Sequence, residues 1–352
     1  YAARSLSGQM VAAGNTSYTF DVTVNGDTNV ESTETFNVNV ANVTGTSVGV
    51  ADAQGIGTIT NDDVGTTLIH DIQGSGAQSS LNGTAVTIEG VVVGDYQGTT
   101  GLSGFFLQEE DAQIDADPAT SEGIFVADGT FGVAVNVGDV VRVQGTVLEL
   151  LTTGVYLTEI SPVTSVTVMS SGASVTPAAV TLPVTAQTDL ERYEGMRVTL
   201  PQTLTVADNY SLGYYGEVGL AAGGRVFNPT NVITPGAPAV ALQTANDLRR
   251  IVLDDGSSVS NRDPVIHPAP GLGPFNTLRA GDTLPDLSGV LDQRFGVYRI
   301  QPIGAINFTA ANPRPTIPPA PGGTLKVMSG NLLNYFTTID TGAGTARGAD
   351  SA

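Results

Sequence analysis

The sequence predicts a mainly β protein built from several small β units. Short runs with an apolar residue at every second position recur along the chain, for example over residues 18–24, 35–40 and 137–144. Gly, Asn and Asp residues separate these runs, as is typical of strands joined by turns. Long amphipathic helical patterns are nearly absent, and the best helix candidate is residues 239–247. A chain of 352 residues is long enough for two or three such domains.

The composition excludes several kinds of functional site. The net charge is −20, from 34 acidic and 14 basic residues, so bulk electrostatics cannot hold a nucleic acid and a local basic groove or bound cations would be required. Because the chain has no Cys, it has no thiolate metal site, cysteine nucleophile or disulfide. Only two histidines, His70 and His267, are present, which argues against a Ser/His/Asp triad or a His-rich metal site. No apolar run reaches the roughly 18 residues that a membrane span needs.

Residues 1–64 place acidic side chains in two short loops. Asp27, Glu31 and Glu34 lie in the first loop, and Asp62 and Asp63 follow the next strand. Carboxylates gathered at one end of a β-sandwich repel each other unless a cation holds them, and Ca²⁺ prefers such oxygen ligands. Solvated turn residues are an equal alternative, because Asp and Asn favour turns.

The same residues carry a family resemblance. The patterns Gly-Asp…Glu-x-x-Glu-x-Phe and Gly-x-Gly-Thr-Ile-x-Asn-Asp-Asp, within residues 7–63, resemble the C-terminal part of a Calx-β domain. That family is a calcium-binding β-sandwich. The resemblance implies a truncated sandwich over residues 1–64, with structural Ca²⁺ bound by the five acidic residues of the two loops.

Residues 65–168 predict a compact β domain with aromatic residues near its turns. Tyr96, Phe105 and Tyr156 are candidates for stacking on bases, with Arg142 near phosphate, although aromatic residues on strands are more often core. Phe105 and Phe106 are adjacent and therefore face opposite sides of their strand, so only one is expected in the core. The acidic loop 109–117 is expected to be solvated.

A weak internal repeat predicts that residues 169–310 form a second domain of similar design. The segments 123–129, 137–145 and 155–157 have counterparts at 250–256, 280–289 and 297–300. Seven of the 13 arginines lie between Arg225 and Arg299. They predict either a local basic face for phosphates or ion pairs with neighbouring aspartates.

Both domains resemble the region ahead of the catalytic domain in secreted ExeM-type bacterial nucleases. The first domain is similar through Thr87-Ile-Glu-Gly-Val-Val-Val-Gly-Asp and Gly104-Phe-Phe-Leu-Gln-Glu, and the second through Phe295-Gly-Val-Tyr-Arg-Ile-Gln-Pro. The resemblance implies an OB-fold-like barrel over residues 65–168 and a second OB-like or β domain over residues 169–310. It also implies DNA or RNA as the substrate of the parent enzyme.

The last two segments are predicted to be a linker and the beginning of a catalytic domain. Residues 311–323 hold five prolines and predict an extended linker. Residues 324–352 predict a strand at 325–328, and Asn331 with the following Asn-Tyr-Phe-Thr-Thr resembles the opening of an endonuclease/exonuclease/phosphatase domain. The resemblance implies the first strand of an α/β-sandwich and a role for Asn331 at a catalytic Mg²⁺ or Mn²⁺. The other catalytic residues are expected beyond Ala352, so this chain alone is expected to be inactive.

Together these patterns predict the non-catalytic N-terminal region of a secreted, extracellular bacterial nuclease that hydrolyses DNA or RNA phosphodiesters. We expect a monomer with Ca²⁺ in the sandwich and Mg²⁺ or Mn²⁺ in the parent catalytic domain. A calcium-stabilised adhesion or binding module of the cell surface, without enzymatic activity, is the alternative. It explains the acidic, Gly-rich and Thr-rich β sequence, but it leaves the Asn331 segment unexplained.

Overall fold

A computed structural model describes residues 3–24, 32–45, 49, 51–60, 65–129, 131–317, 320, 322–325, 327 and 329. The chain divides into two units, Tyr1–Asn312 and Pro313–Ala352. In the second unit, Leu325 and Val327 of the predicted strand are exposed and form no strand, and Asn331 lies outside the described residues. Among the helices of the described segments, none has the length and apolar character needed to cross a membrane.

The N-terminal segment contains one β-hairpin among its described residues. Strand β1 (Glu34–Asn39) pairs antiparallel with β2 (Gln54–Ile59), and the ring of Phe36 covers Gly57, which has no side chain to obstruct it. The run at 18–24, predicted as a strand, forms none. Glu34 is exposed at the start of β1, whereas Asp27, Glu31, Asp62 and Asp63 lie outside the described residues.

The first barrel is a closed five-stranded sheet in the order β3-β4-β5-β7-β6. Its neighbours are antiparallel except for the parallel pair β5 and β7. A short helix, α1 (Ile69–Gln73), packs against β5. The strands are β3 (Ala85–Tyr96), β4 (Gly104–Gln108), β5 (Gly123–Val126), β6 (Val140–Thr152) and β7 (Val155–Ser170).

Alternation along these strands builds the barrel core. Ile88, Phe105, Ile124 and Val143 point inward and are completely buried, together with Ile69 from α1. This is the inward-facing pattern that the period-two runs predicted. Burial of branched and aromatic side chains, at roughly 25 cal/mol per Å² of apolar area, stabilises the barrel.

The second β domain, called the second barrel because of the closure described below, is built on an eight-stranded sheet in the order β13-β10-β11-β12-β15-β14-β9-β8. Its helices are α2 (Leu212–Tyr215) and α3 (Ala237–Asp247), and α3 contains the predicted helix. Three 3₁₀ turns cover Gln187–Tyr193, Pro229–Asn231 and Arg294–Gly296. The strands are β8 (Ala178–Ala179), β9 (Arg197–Leu200), β10 (Leu204–Asp208), β11 (Val218–Ala222), β12 (Arg250–Leu253), β13 (Thr283–Leu284), β14 (Leu287–Asp292) and β15 (Arg299–Pro302).

The two barrels share one strand order. Three residues connect β9 to β10 and two residues connect β13 to β14, so the two ends of the second sheet must lie close together. If β9 and β10 are taken as one interrupted strand, and β13 and β14 as another, the order becomes that of the first barrel. The parallel pair β12 and β15 then corresponds to β5 and β7. The internal repeat predicted from the sequence is therefore a repeated topology.

The outer face of β4 and β5 is covered by the second barrel. Phe106 and Phe125, with ring centroids 4.9 Å apart, form a buried cluster that includes Val290 of β14. The guanidinium of Arg294 lies 4.0 Å from the Phe125 ring centroid. Both Phe105 and Phe106 are consequently buried, so the expectation that only one of them is core was wrong. Strand parity could not show that a second core lies outside the barrel.

The carboxyl group of Glu159 on β7 predicts a pH dependence of stability. Glu159 is 5% exposed, and burial raises the pKa of its carboxyl to about 7, with Arg294 opposing the shift and Asp292 adding to it. Since the folded chain holds this proton more tightly than the unfolded chain, its contribution is complete below about pH 4.5 and is lost as the pH rises to about 7. Urea unfolding at a series of pH values should show wild type losing up to about 3 kcal/mol more stability than Glu159→Gln over this range. Parallel curves for the two proteins would contradict the assignment.

Candidate functional site

Two of the four predicted nucleic-acid contacts are buried. Phe105 lies in the first barrel core at 0% exposure, and its ring therefore offers no face to a base. Tyr96 is also buried, and its hydroxyl donates to the backbone oxygen of Pro302 at 3.0 Å. Burial raises the pKa of Tyr96, and the charges of Asp292 and Asp254 add to the shift. Tyr96 thus fastens the first barrel to the second instead of facing solvent.

The other two predicted contacts, Arg142 and Tyr156, do not form a shared surface for stacking on bases. Arg142 donates from Nε to Oε2 of Glu89 at 2.9 Å, across the neighbouring strands β6 and β3, and the pair is largely buried. Tyr156 on β7 retains 36% exposure and is the one predicted ring that still reaches solvent. With its β4 and β5 face covered by the second barrel, the first barrel offers little of the surface that the prediction required.

The second barrel has an open face on the corresponding strands. Val206, Leu220 and Ile251 of β10, β11 and β12 point into its core, whereas Asp208, Gly219 and Arg250 belong to the opposite face. A Cβ at Gly219 would stand 3.0 Å from Cβ of Asp208 and 3.4 Å from Nη2 of Arg250, so the absence of a side chain there keeps the face concave. A cavity of about 220 Å³ lies beside this face, lined by Ala207, Asp208, Val226, Phe227, Asn228, Gln243 and Arg250.

The cavity offers a cation beside an aromatic ring. Arg250 lies 3.9 Å from Asp208, and both side chains are partly exposed, at 35% and 54%. Among the described residues the Arg250 guanidinium makes no side-chain hydrogen bond, so its donors are open to a ligand. Phe227 is 48% exposed and has the guanidinium of Arg225 5.0 Å from its ring centroid. A planar, aromatic or anionic ligand would find both attraction and a stacking surface here.

The arginine cluster splits between the two predicted roles. Arg299 is buried and paired with Asp254, and Arg294 is largely buried and paired with Asp292. The guanidinium of Arg249 is occupied by backbone oxygens of Ala222 and Gly224. Arg262 donates to the backbone oxygen of Asp255, whereas Arg250 lines the concave face and Arg225 lies beside its Phe227 ring.

A separate cluster of His70, Glu109 and Glu122 forms at the base of the acidic loop. Glu109 follows β4 and Glu122 precedes β5, and the amide of Glu109 donates to the Glu122 backbone oxygen at 3.0 Å. Nδ1 of His70, on α1, lies 2.9 Å from Oε2 of Glu109 and 3.3 Å from Oε2 of Glu122. All three residues are buried, and one ligand atom from each lies within 4.8 Å of the others.

The electrostatics of this cluster of His70, Glu109 and Glu122 reflect two buried carboxyl groups beside one imidazole. Burial acts to lower the pKa of His70, but the hydrogen bond and charge of Glu109, with the charges of Glu122 and Asp115, outweigh it and raise that pKa. Burial raises the pKa of Glu122 to about 8. The hydrogen bond and charge of Glu109 add to that shift, His70 opposes it and Asp115 adds to it. Positive charge at this position would therefore be favourable.

Sequence reasoning missed this cluster. Two histidines in the whole chain argued against a metal site rich in histidine, and the acidic loop was interpreted as solvated. Asp111 and Asp117 are indeed exposed, but Glu109 at the base of the loop is completely buried. The available signal was position, because Glu109 and Glu122 directly flank two strands that pair with each other.

Comparison of the chain with known protein families and with curated proteins finds no match.

Proposed function

We propose that this chain is the non-catalytic, nucleic-acid-binding region of a secreted metal-dependent nuclease, and that its second barrel makes the contact. The observation that carries the proposal is the concave face over β10, β11 and β12, with Arg250 and Phe227 at its edge. The repeated strand order supports it, since a five-stranded barrel of this kind matches the OB-fold. That fold binds oligonucleotides on its second and third strands and the adjoining loops.

The chemistry of the face suits a single strand. Stacking of a base on an aromatic ring is worth roughly 1–3 kcal/mol and does not depend on base identity. Phe227 supplies such a ring, and Arg250 supplies a guanidinium for phosphate. Tyr210, 92% exposed in the loop after β10, is a further ring near this edge because its amide donates to Asp208, which lines the cavity. A local site of this kind functions despite the overall charge of −20.

The remaining parts of the proposal rest on the sequence resemblance. They are calcium binding by the N-terminal acidic loops, an extracellular location, and phosphodiester hydrolysis with Mg²⁺ or Mn²⁺ near Asn331 in the parent enzyme. The chain itself is proposed to bind and not to cut. It is also proposed to act as a monomer.

Fluorescence anisotropy with labelled single-stranded DNA and RNA 20-mers tests the proposal. At low salt, wild type should bind and should weaken as salt is added, because phosphate contacts release counterions. Arg250→Gln and Phe227→Ala should each weaken binding about tenfold, and Arg250→Gln should reduce the salt slope by roughly 0.7, the value of one single-strand phosphate contact.

The matched control is Arg192→Gln. Arg192 is exposed on the 3₁₀ turn that precedes β9 and does not line the cavity of the concave face, and its replacement should leave affinity unchanged. If wild type shows no binding at low salt, the proposal fails and the adhesion module becomes the better reading. If Arg192→Gln loses as much affinity as Arg250→Gln, binding is diffuse and the face is not the site.

A further inference from the structure

The cluster of His70, Glu109 and Glu122 belongs to the first barrel and takes no part in the proposed nucleic-acid binding. We propose that His70, Glu109 and Glu122 bind one divalent transition-metal ion, with Zn²⁺ as the probe, and that this ion fastens α1 to the base of the loop between β4 and β5.

The spacing of the ligand atoms fits such an ion. Around a tetrahedral ion with bonds of about 2.0–2.1 Å, ligand atoms stand roughly 3.3 Å apart. Nδ1 of His70 lies 2.9 Å and 3.3 Å from the two glutamate oxygens. Small shifts of three side chains would therefore convert the present contacts into coordination. One imidazole with two carboxylates leaves a further position for water or another ligand.

A second observation points to a missing partner. Glu122 is 4% exposed, and its Oε2 makes no well-formed hydrogen bond although Nδ1 of His70 lies 3.3 Å away. A buried carboxylate oxygen without a partner costs free energy, and a cation at the centre of the cluster would remove that cost. The imidazole ligand favours a transition metal over Ca²⁺, which takes six to eight oxygen ligands.

The surrounding contacts hold the ligands in place before any ion arrives. Oε1 of Glu109 accepts from the backbone amide of His70 at 3.0 Å, which fixes the start of α1. Nε2 of Gln73 donates to the backbone oxygen of Gly123 at 2.6 Å and holds the end of α1 on β5. Oδ1 of Asp71 lies 3.8 Å from Nε2 of His70, and this side chain is 64% exposed. Asp71 thus marks where the cluster meets solvent, and a carboxylate beside the second imidazole nitrogen is common in metal sites.

The test uses the full chain, freed of metal with a chelator and then titrated with Zn²⁺ at pH 7. Calorimetry should find a site that Glu122→Gln weakens at least tenfold, and the melting temperature of wild type should rise with Zn²⁺. Glu122→Gln keeps the size of the side chain. A cooperative unfolding transition of the metal-free variant would establish that it folds. His70→Gln is the second variant, and it should lose the same site.

The matched control is Glu159→Gln, which changes a buried glutamate of the same barrel outside the cluster. It should retain both the calorimetric site and the thermal shift. Zn²⁺ bound by exposed acidic residues elsewhere would persist in all three variants. The comparison therefore distinguishes such binding from binding at the cluster. The proposal is overturned if wild type shows neither binding nor a thermal shift, or if Glu122→Gln and His70→Gln respond to Zn²⁺ as wild type does.

Discussion

Replacing Arg299 with Met is expected to destabilise the protein by about 3–5 kcal/mol, the cost of breaking a buried ion pair on one side. Arg299 is 1% exposed on β15, and its Nη1 donates to Oδ2 of Asp254 and to Oε1 of Glu217, each at 2.8 Å. Asp254 is itself buried, so removing the guanidinium leaves its carboxylate without a counter-charge in the interior.

The pair of Arg299 and Asp254 belongs to a larger buried hydrogen-bond network. The loss of stability can therefore be assigned to the uncompensated charge of Asp254 and tested there. Nε2 of Gln301 donates to Asp254 at 3.0 Å and to Asp292 at 2.9 Å, and Asp292 also accepts from Nε of Arg294. If the lone charge of Asp254 causes the loss, the double variant Arg299→Met with Asp254→Asn should recover part of it. The amide still accepts from Gln301 but carries no charge.

Urea unfolding followed by circular dichroism measures this effect. The control is Arg192→Met, an exposed arginine outside the network, which should change stability by less than about 1 kcal/mol. An Arg299→Met protein within about 1 kcal/mol of wild type would show that the network does not hold the second barrel together.

A methyl group at Gly123 is expected to cost about 3 kcal/mol and to disturb the junction of the barrels. A Cβ on Gly123 would overlap the backbone of Gly195 and Met196, and a Cβ on Gly195 would overlap the backbone of Gly123 and Ile124. The two glycines thus let the start of β5 touch the turn before β9, backbone against backbone. No side-chain rearrangement relieves a clash between main-chain atoms.

Gly76→Ala is the matched control for Gly123→Ala. Nothing lies within 4 Å of a Cβ at Gly76, and its φ falls outside the left-handed region. It should leave stability unchanged within about 0.5 kcal/mol. In chemical unfolding, Gly123→Ala should either lower the midpoint of a single transition or separate it into two, one for each barrel. A Gly123→Ala protein as stable as Gly76→Ala would contradict the close approach.

Local pattern predicted much of the fold. The alternating run at 35–40 corresponds to β1, the run at 137–144 covers the start of β6, and the predicted helix at 239–247 lies within α3, two residues after its start. The repeated Asp-Gly endings of β5 and β12 predicted the shared topology. The run at 18–24 alternates equally well but forms no strand, since alternation alone does not supply a partner strand.

The candidate sites depended on contacts that local pattern does not record. Tyr96 was predicted to stack on bases, but the second barrel covers it. His70 and Glu109 are 39 residues apart, and only the packing of α1 on β5 brings them together. The sequence does not distinguish Arg250, which lines the cavity, from Arg299, which is buried. The difference depends on the segment between β11 and β12, which brings Phe227 to the cavity beside Arg250.

The central claim is that nucleic acid lies on the second barrel, and photo-crosslinking tests it most directly. A single-stranded oligonucleotide carrying 5-iodouracil would be bound to the full chain at low salt, irradiated, and its crosslinked peptides identified by mass spectrometry. We expect crosslinks to the segment around Phe227 and to the loop holding Tyr210. Crosslinks confined to the first barrel, at Tyr156 or its neighbours, would contradict it.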